Sequence, residues 1–283
     1  MIKQIKKIKK TNSLDLENLK ETHLSIQLSL DGFSFCIINE FSKELIAYAA
    51  YEFTKKNSFP SKHLEFVENI FSLEKNLLQN NYKSVSVVHY NNLVSQVPKP
   101  FFDKDNLASY LQHSVKILAN DFIAYDEISN TEIVNVYIPF VNINNFLIDT
   151  YGSFEFKHNS TVLIDGLLRK HKNSEGNFMY INVSYSNLEI AVFKDKKLEL
   201  YNIFNFSTKE DFIYYILFVA EQLKLNPEEI NLILLGDIEK ESELYTIVYQ
   251  YIRNVSFYAP DSFPELLNSE SKHNHFTLLN QYL

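Results

Sequence analysis

Residues 24–53 and 179–206 carry one strand pattern written twice. Ile26 answers to Ile181, Leu28 to Val183, Ser29 to Ser184, Phe35 to Ile190 and Ile37 to Val192, always at an offset of 155. The second copy is two residues shorter before its last strand. A unit used twice constrains the chain to two lobes of one ancestral plan. Two-lobed molecules commonly take a ligand between their lobes.

Each copy reads as a three-stranded antiparallel meander. Leu24, Ile26, Leu28 and Leu30 alternate on one face, and residues 33–38 form the next strand. Asp31-Gly32 reads as the two-residue hairpin turn between them, both positions at positive φ. Ser186-Asn187 occupies that turn in the second copy. Third strands fall near 44–53 and 197–206.

A helix follows each meander. Leu64, Val67, Ile70, Phe71, Leu77 and Leu78 recur at helical spacing. In the second copy Thr208 and Asp211 form a capping pattern. The run DFIYYILFVAEQLKL is apolar nearly all round, so that helix is expected to be buried on most sides until Asn226-Pro227 ends it. Short buried strands follow at 83–90 and 230–238, then helices near 104–117 and 240–252, then closing strands at 121–128 and 255–259. The order βββαβαβ thus appears twice. The first copy adds a strand at 132–140, a helix at 141–152 ended by Gly152, a strand at 153–160 and a helix at 161–171. Residues 171–177 read as the hinge between lobes. The tail after 260 is either loose or docked on its neighbour lobe.

The 283 residues include 46% hydrophobic side chains, enough to bury real cores. Only 5 glycines occur, which argues against phosphate-cradling loops. The net charge of −8 speaks against general nucleic-acid binding. The basic start MIKQIKKIKK is the exception and reads as a solvated tail, with RNA or membrane contact through Lys3, Lys6, Lys7, Lys9 and Lys10 as its minority use. Cys36 is the single cysteine and reads as a buried small hydrophobe in a reducing compartment. No apolar run is long enough for a membrane span, so a cytoplasmic protein is expected.

The duplicated βββαβαβ order resembles the actin-like ATPase superfamily of actin, sugar kinases and the chaperone ATPase. The added segment of the first copy, with its helix ending in Tyr151-Gly152, is similar to the bacterial cell-division and pilus-assembly branch. SLDGFSF at 29–35 and EDFIYYILF at 210–218 resemble an uncharacterised bacterial family known only as a domain of unknown function. The resemblance implies an α/β fold of two duplicated actin-like (ribonuclease H-like) lobes, with mixed sheets, helices on both faces and a small β-α-β subdomain added to the first lobe. The expected division is 1–22 as a basic disordered tail, 23–172 as the first lobe with its inserted subdomain at about 129–160, and 173–283 as the second lobe and tail.

The resemblance also implies where ATP and Mg would sit. Each lobe of an active member offers an Asp-containing, Gly-rich hairpin, and a Gly-Gly turn late in the second lobe holds the adenosine. Here Asp31 and Gly32 are the remnant of the first hairpin, with bulky Phe33 following. The second hairpin, at Ser186-Asn187, has neither Asp nor Gly, and the third element keeps only Gly236. Phosphoryl transfer depends on positioning and charge stabilisation, so these losses argue against an active ATPase. The cofactor-binding candidates are therefore Asp31, Gly32 and Gly236, with no catalytic residue and no cofactor assigned.

Other constellations carry less. No phosphate-binding loop, dinucleotide fingerprint or nucleophile elbow occurs. His273 and His275 lie close in a polar tail without a metal-ligand partner. Arg169, Lys170, His171 and Lys172 suit a helix C-terminus, and Glu239, Glu241 and Glu243 suit a helix start. Tyr214, Tyr215 and Phe218 read as core aromatics. The expectation is an inactive actin-like scaffold or adaptor with a protein partner. The alternatives are a nucleotide-binding protein or weak ATPase, and nucleic-acid association through the N-terminal lysines. Exposed meander edges also admit pairing between chains.

Overall fold

A computed structural model describes residues 2–9, 16–53, 60–78, 81–118, 121–172, 175–261, 264, 267 and 271–281. The chain divides into two compact units. The first comprises residues 1–165, 264–266 and 277–283, and the second 166–263 and 267–276.

The first unit holds a six-stranded sheet. Its strands are β1 (Ile2–Lys9), β2 (Thr22–Ser29), β3 (Gly32–Asn39), β4 (Leu45–Phe53), β5 (Ser84–Tyr90) and, later in the chain, β9 (Glu155–His158). The order across the sheet is β1-β4-β3-β2-β5-β9. β2, β3 and β4 form the antiparallel meander, while β5 runs parallel to β2 and β9 parallel to β5. Leu24, Ile26 and Leu28 alternate onto one face, as the period-2 pattern requires. They pack with Phe33, Phe35 and the helix α1 (Pro60–Leu73). Phe71 of α1 meets Phe33 at 6.0 Å and Phe146 of helix α3 (Val141–Tyr151) at 4.9 Å.

Three features of this unit depart from expectation. Residues Ile2–Lys9, assigned to a disordered tail, form β1 and pair antiparallel with β4. The edge of β4 supplies a ladder of unpaired backbone groups, which a strand satisfies better than a tail does. The inserted subdomain runs from Val94 to Ile138, so it begins well ahead of the expected 129–160 and ends inside it. It is a three-stranded antiparallel sheet in the order β6-β8-β7, from β6 (Val94–Pro98), β7 (Ala124–Glu127) and β8 (Ile133–Tyr137), with helix α2 (Leu107–Leu111). Val97, Leu111, Val134, Val136 and Ile138 fill its own core. The strand expected to close the main sheet, 121–128, therefore belongs to the insert, and β9 closes the sheet instead.

The third is the tail after 260, expected either loose or docked and counted with the second lobe. Its last helix, α7 (Phe276–Asn280), leads into residues that belong to the first unit. Thr277 Oγ1 donates to Gln27 Oε1 at 2.7 Å, and Gln281 Nε2 donates to the Ile26 carbonyl at 3.1 Å. The division between units also falls earlier than the 171–177 hinge. It lies after Asp165, inside helix α4 (Asn159–His171).

The second unit repeats the plan. β10 (Asn177–Val183), β11 (Asn187–Lys194), β12 (Lys197–Asn205), β13 (Asn231–Gly236) and β14 (Asn254–Phe257) stand in the order β12-β11-β10-β13-β14. Helices α5 (Lys209–Gln222) and α6 (Glu243–Tyr251) join them. Ile181, Ile190, Phe212, Ile216, Leu232 and Val248 centre the core. Thr208 and Asp211 do form a reciprocal capping box. α5 is not buried on most sides, however: Tyr214 is 59% and Phe218 40% exposed. The helix ends at Gln222, ahead of Asn226-Pro227. There Leu225 N reaches the Ala220 carbonyl at 2.8 Å and Lys224 N the Glu221 carbonyl at 3.0 Å, a Schellman closure with Lys224 at φ 54°.

Candidate functional site

Asp31 and Gly32 fall in the first unit and Gly236 in the second, so they share no site within either unit. In the first hairpin the two loop residues between β2 and β3 are Leu30 and Asp31, not Asp31 and Gly32. Neither Asp31 nor Gly32 has positive φ. Gly32 is constrained by space instead, since a Cβ there would stand 3.0 Å from the Tyr51 carbonyl. Asp31 Oδ1 accepts from Ser29 Oγ at 2.7 Å, and its carbonyl accepts from Phe53 N at 2.8 Å.

The second hairpin repeats the bonds to backbone: Ser29 Oγ donates to the Gly32 carbonyl and Ser184 Oγ to the Asn187 carbonyl, each at 3.2 Å. Its loop is Ser184 to Ser186, and the Ser186 carbonyl accepts from Phe206 N at 3.1 Å. Ser186 thus stands where Asp31 stands, and Asn187 where Gly32 stands. A hydroxyl cannot supply a carboxylate's charge to a cation.

Beside the first hairpin lies a group of buried histidines that the sequence reading did not single out. His63 of α1 is buried against Phe53 and Phe140, with ring centroids at 5.7 and 4.8 Å. Burial lowers its pKa to about 4, against smaller opposing effects from the Ser29 backbone and the Asp31 charge. His89, at the end of β5, accepts from Phe140 N at its Nδ1 at 3.2 Å, which leaves the proton on Nε2. Burial lowers its pKa to about 3. Asn144 faces His89, yet neither His89 Nε2 nor Asn144 Oδ1 has a partner at hydrogen-bond geometry.

His158, at the end of β9, accepts from Ser160 N at Nδ1 at 3.1 Å and donates from Nε2 to the Asn91 carbonyl at 3.0 Å. Its own amide and the Thr161 hydroxyl donate to Asp126 Oδ2 at 2.8 and 2.7 Å, and the Tyr137 hydroxyl donates to Oδ1 at 3.0 Å. Asp126 therefore caps the start of α4, and burial raises its pKa despite those three donors. The arrangement is a mostly satisfied polar core. Among the described residues no group of three His, Cys, Asp or Glu side chains could hold a metal ion.

Gly236, at the end of β13, is a position only glycine can fill. Its φ is 78°, and a Cβ would lie 2.1 Å from the Val183 carbonyl. Its amide is not open to a ligand, because it donates to the His273 carbonyl at 3.1 Å. His273 Nε2 donates to the Ile238 carbonyl at 2.7 Å, and the ring stacks on Phe257 at 4.4 Å. Ser271 Oγ donates to Glu239 Oε1 at 2.7 Å. The segment from 271 to 276 thus closes over the Gly236 turn, and His273 serves as packing.

Two further groups complete the second unit. Glu189 of β11 is fully buried and accepts from Asn182 Nδ2 at 2.6 Å and from the Tyr201 hydroxyl. A lone acid inside the apolar strand NLEIAVF was its only sequence signal. His171 lies in the core, stacked on Phe193 at 5.1 Å and bonded to the Tyr180 hydroxyl at 2.5 Å. Burial first, and then Lys170, lower its pKa. Lys170 pairs with Asp261. The cluster at 169–172 is therefore half packing rather than an anion site.

This geometry is that of an actin-like fold. The chain is similar to a Bacteroides thetaiotaomicron protein of actin-like ATPase fold and unknown function. That match has 24% identity and a TM-score of 0.82, covering 96% of this chain and 99% of that one. It is also similar to a chain of the PilM–PilN type IV pilus biogenesis complex, at 12% identity and a TM-score of 0.60, covering 92% and 97%. No curated protein matches it. The chain belongs to the family described as protein of unknown function (DUF3822), whose model matches residues 11–255. Among the described residues no helix is long and apolar enough to cross a membrane.

Proposed function

We propose that the protein is a catalytically inactive actin-like scaffold that works by binding a protein partner. The observation that carries this reading is the closed Gly236 turn, whose amide is taken by the His273 carbonyl. Ser186 in the place of Asp31 adds to it, because one of the two hairpins then brings no carboxylate for Mg. A protein partner is carried to this chain by its likeness in fold to PilM, which was solved in a complex with PilN.

Thermal unfolding with and without millimolar Mg-ATP tests the first half. A ligand at 100 times its dissociation constant that binds only the folded state adds about 2.7 kcal/mol. The expected result is no rise in melting temperature, and a clear rise overturns the inactive reading. For the second half, the tagged chain purified from its own cells should carry a stoichiometric protein that co-elutes on gel filtration. Elution without one counts against the partner.

A further inference from the structure

The two copies differ at the outer edge of their meanders. In the first unit β1 covers β4, and Leu45, Ala47, Tyr48, Ala49, Tyr51 and Phe53 are all buried. In the second unit β12 ends the sheet, and none of its nine residues is buried. Among the described residues no strand pairs with its outer edge. β12 carries no proline, and its one irregularity and its charged residues, Lys197 and Glu199, stand at its start, so from Leu200 onward it has little of the usual protection of an edge strand. Its flank is apolar as well. Phe204 stacks on Tyr215 of α5 at 4.5 Å, and the exposed Tyr214 stacks on Phe218 at 6.0 Å.

We propose that β12 pairs antiparallel with β12 of a second copy, joining two five-stranded sheets across a two-fold axis at Asn202. The strand is self-complementary in that register. Leu200 faces Phe204 on the core side, Tyr201 faces Ile203 on the other, and Glu199 faces Asn205, so no like charges meet. The segment that fills this role in the first unit, β1, is already committed to β4. The inference stands apart from the scaffold reading and needs no other partner.

Light scattering of the full chain across a dilution series, with Asn202→Lys and Asn202→Glu variants, tests it. Asn202 is exposed, and among the described residues its side chain accepts only from the amide of Ile203, so both variants should fold. The wild type is expected to dimerise, and each variant alone to run as a monomer, because two like charges then face each other on the axis. An equal mixture of the two variants should recover the dimer. A wild type that stays monomeric throughout the series, or single variants that dimerise as it does, overturns the proposal.

Discussion

The amide of Gly236 donates to the carbonyl of His273 at 3.1 Å. One backbone bond thus ties the end of β13 to a segment 37 residues further along the chain. The turn tolerates no side chain, because φ is 78° and a Cβ would lie 2.1 Å from the Val183 carbonyl. Gly236→Ala combines a left-handed residue with a backbone clash, and should cost on the order of 3 kcal/mol or more. Urea unfolding reads the loss, and an unchanged midpoint would contradict the geometry.

Acid should destabilise the fold through its histidines. His23, His63 and His158 are held at about 4 and His89 at about 3, in each case first by burial. Unfolded histidine titrates near 6.5, so below that pH the unfolded chain takes up protons that the folded chain refuses. Stability is therefore full above about pH 6.5 and falls steadily toward about pH 4. At about 1.4 kcal/mol per unit, His63 alone accounts for on the order of 3 kcal/mol. The urea midpoint should drop between about pH 7 and about pH 5, and His63→Gln should flatten that drop.

Glu189 is fully buried between Asn182 and Tyr201. Glu189→Leu removes the acceptor from both donors and should cost about 3 kcal/mol. Adding Tyr201→Phe should recover part of that loss, since the hydroxyl that donated to Glu189 goes with it. A double-mutant cycle with purely additive effects would show that the two side chains do not interact.

A chain with 5 glycines has to put other residues in left-handed backbone. Asp195 and Lys196, at φ 46° and 73°, make the two-residue turn between β11 and β12, and Lys224 closes α5 at φ 54°. Lys196→Gly and Lys224→Gly should each stabilise by about 1 kcal/mol, and the two gains should add. A loss at either site would mean that the lysine side chain contributes more than its backbone costs.

Much of the fold was legible in the chain because a repeat imposes its own boundaries. The offset of 155 between Ser29 and Ser184 reappears as matched hairpins, with Phe53 on Asp31 and Phe206 on Ser186. The alternation of Leu24, Ile26 and Leu28 and the Thr208–Asp211 cap are local patterns, and local patterns survive folding. The hairpin chemistry was less legible. Asp31-Gly32 has the composition of a positive-φ turn, yet the register puts the loop one residue earlier, while Asp195-Lys196 adopts that conformation without glycine.

What the sequence determined by itself was the duplicated architecture, because hydrophobic periodicity states which face of each strand and helix must be buried. What only the tertiary structure decided was which partner each of those faces and edges meets. The basic N-terminal stretch becomes β1 because β4 leaves an edge to fill, and residues 121–128 join the insert because β9 takes the parallel place beside β5. Gly236 is closed by His273, and His63 and His89 are buried neutral, through contacts between residues far apart in the chain. Such contacts leave no local signature, since they depend on how separate elements pack and not on the residues within any one of them.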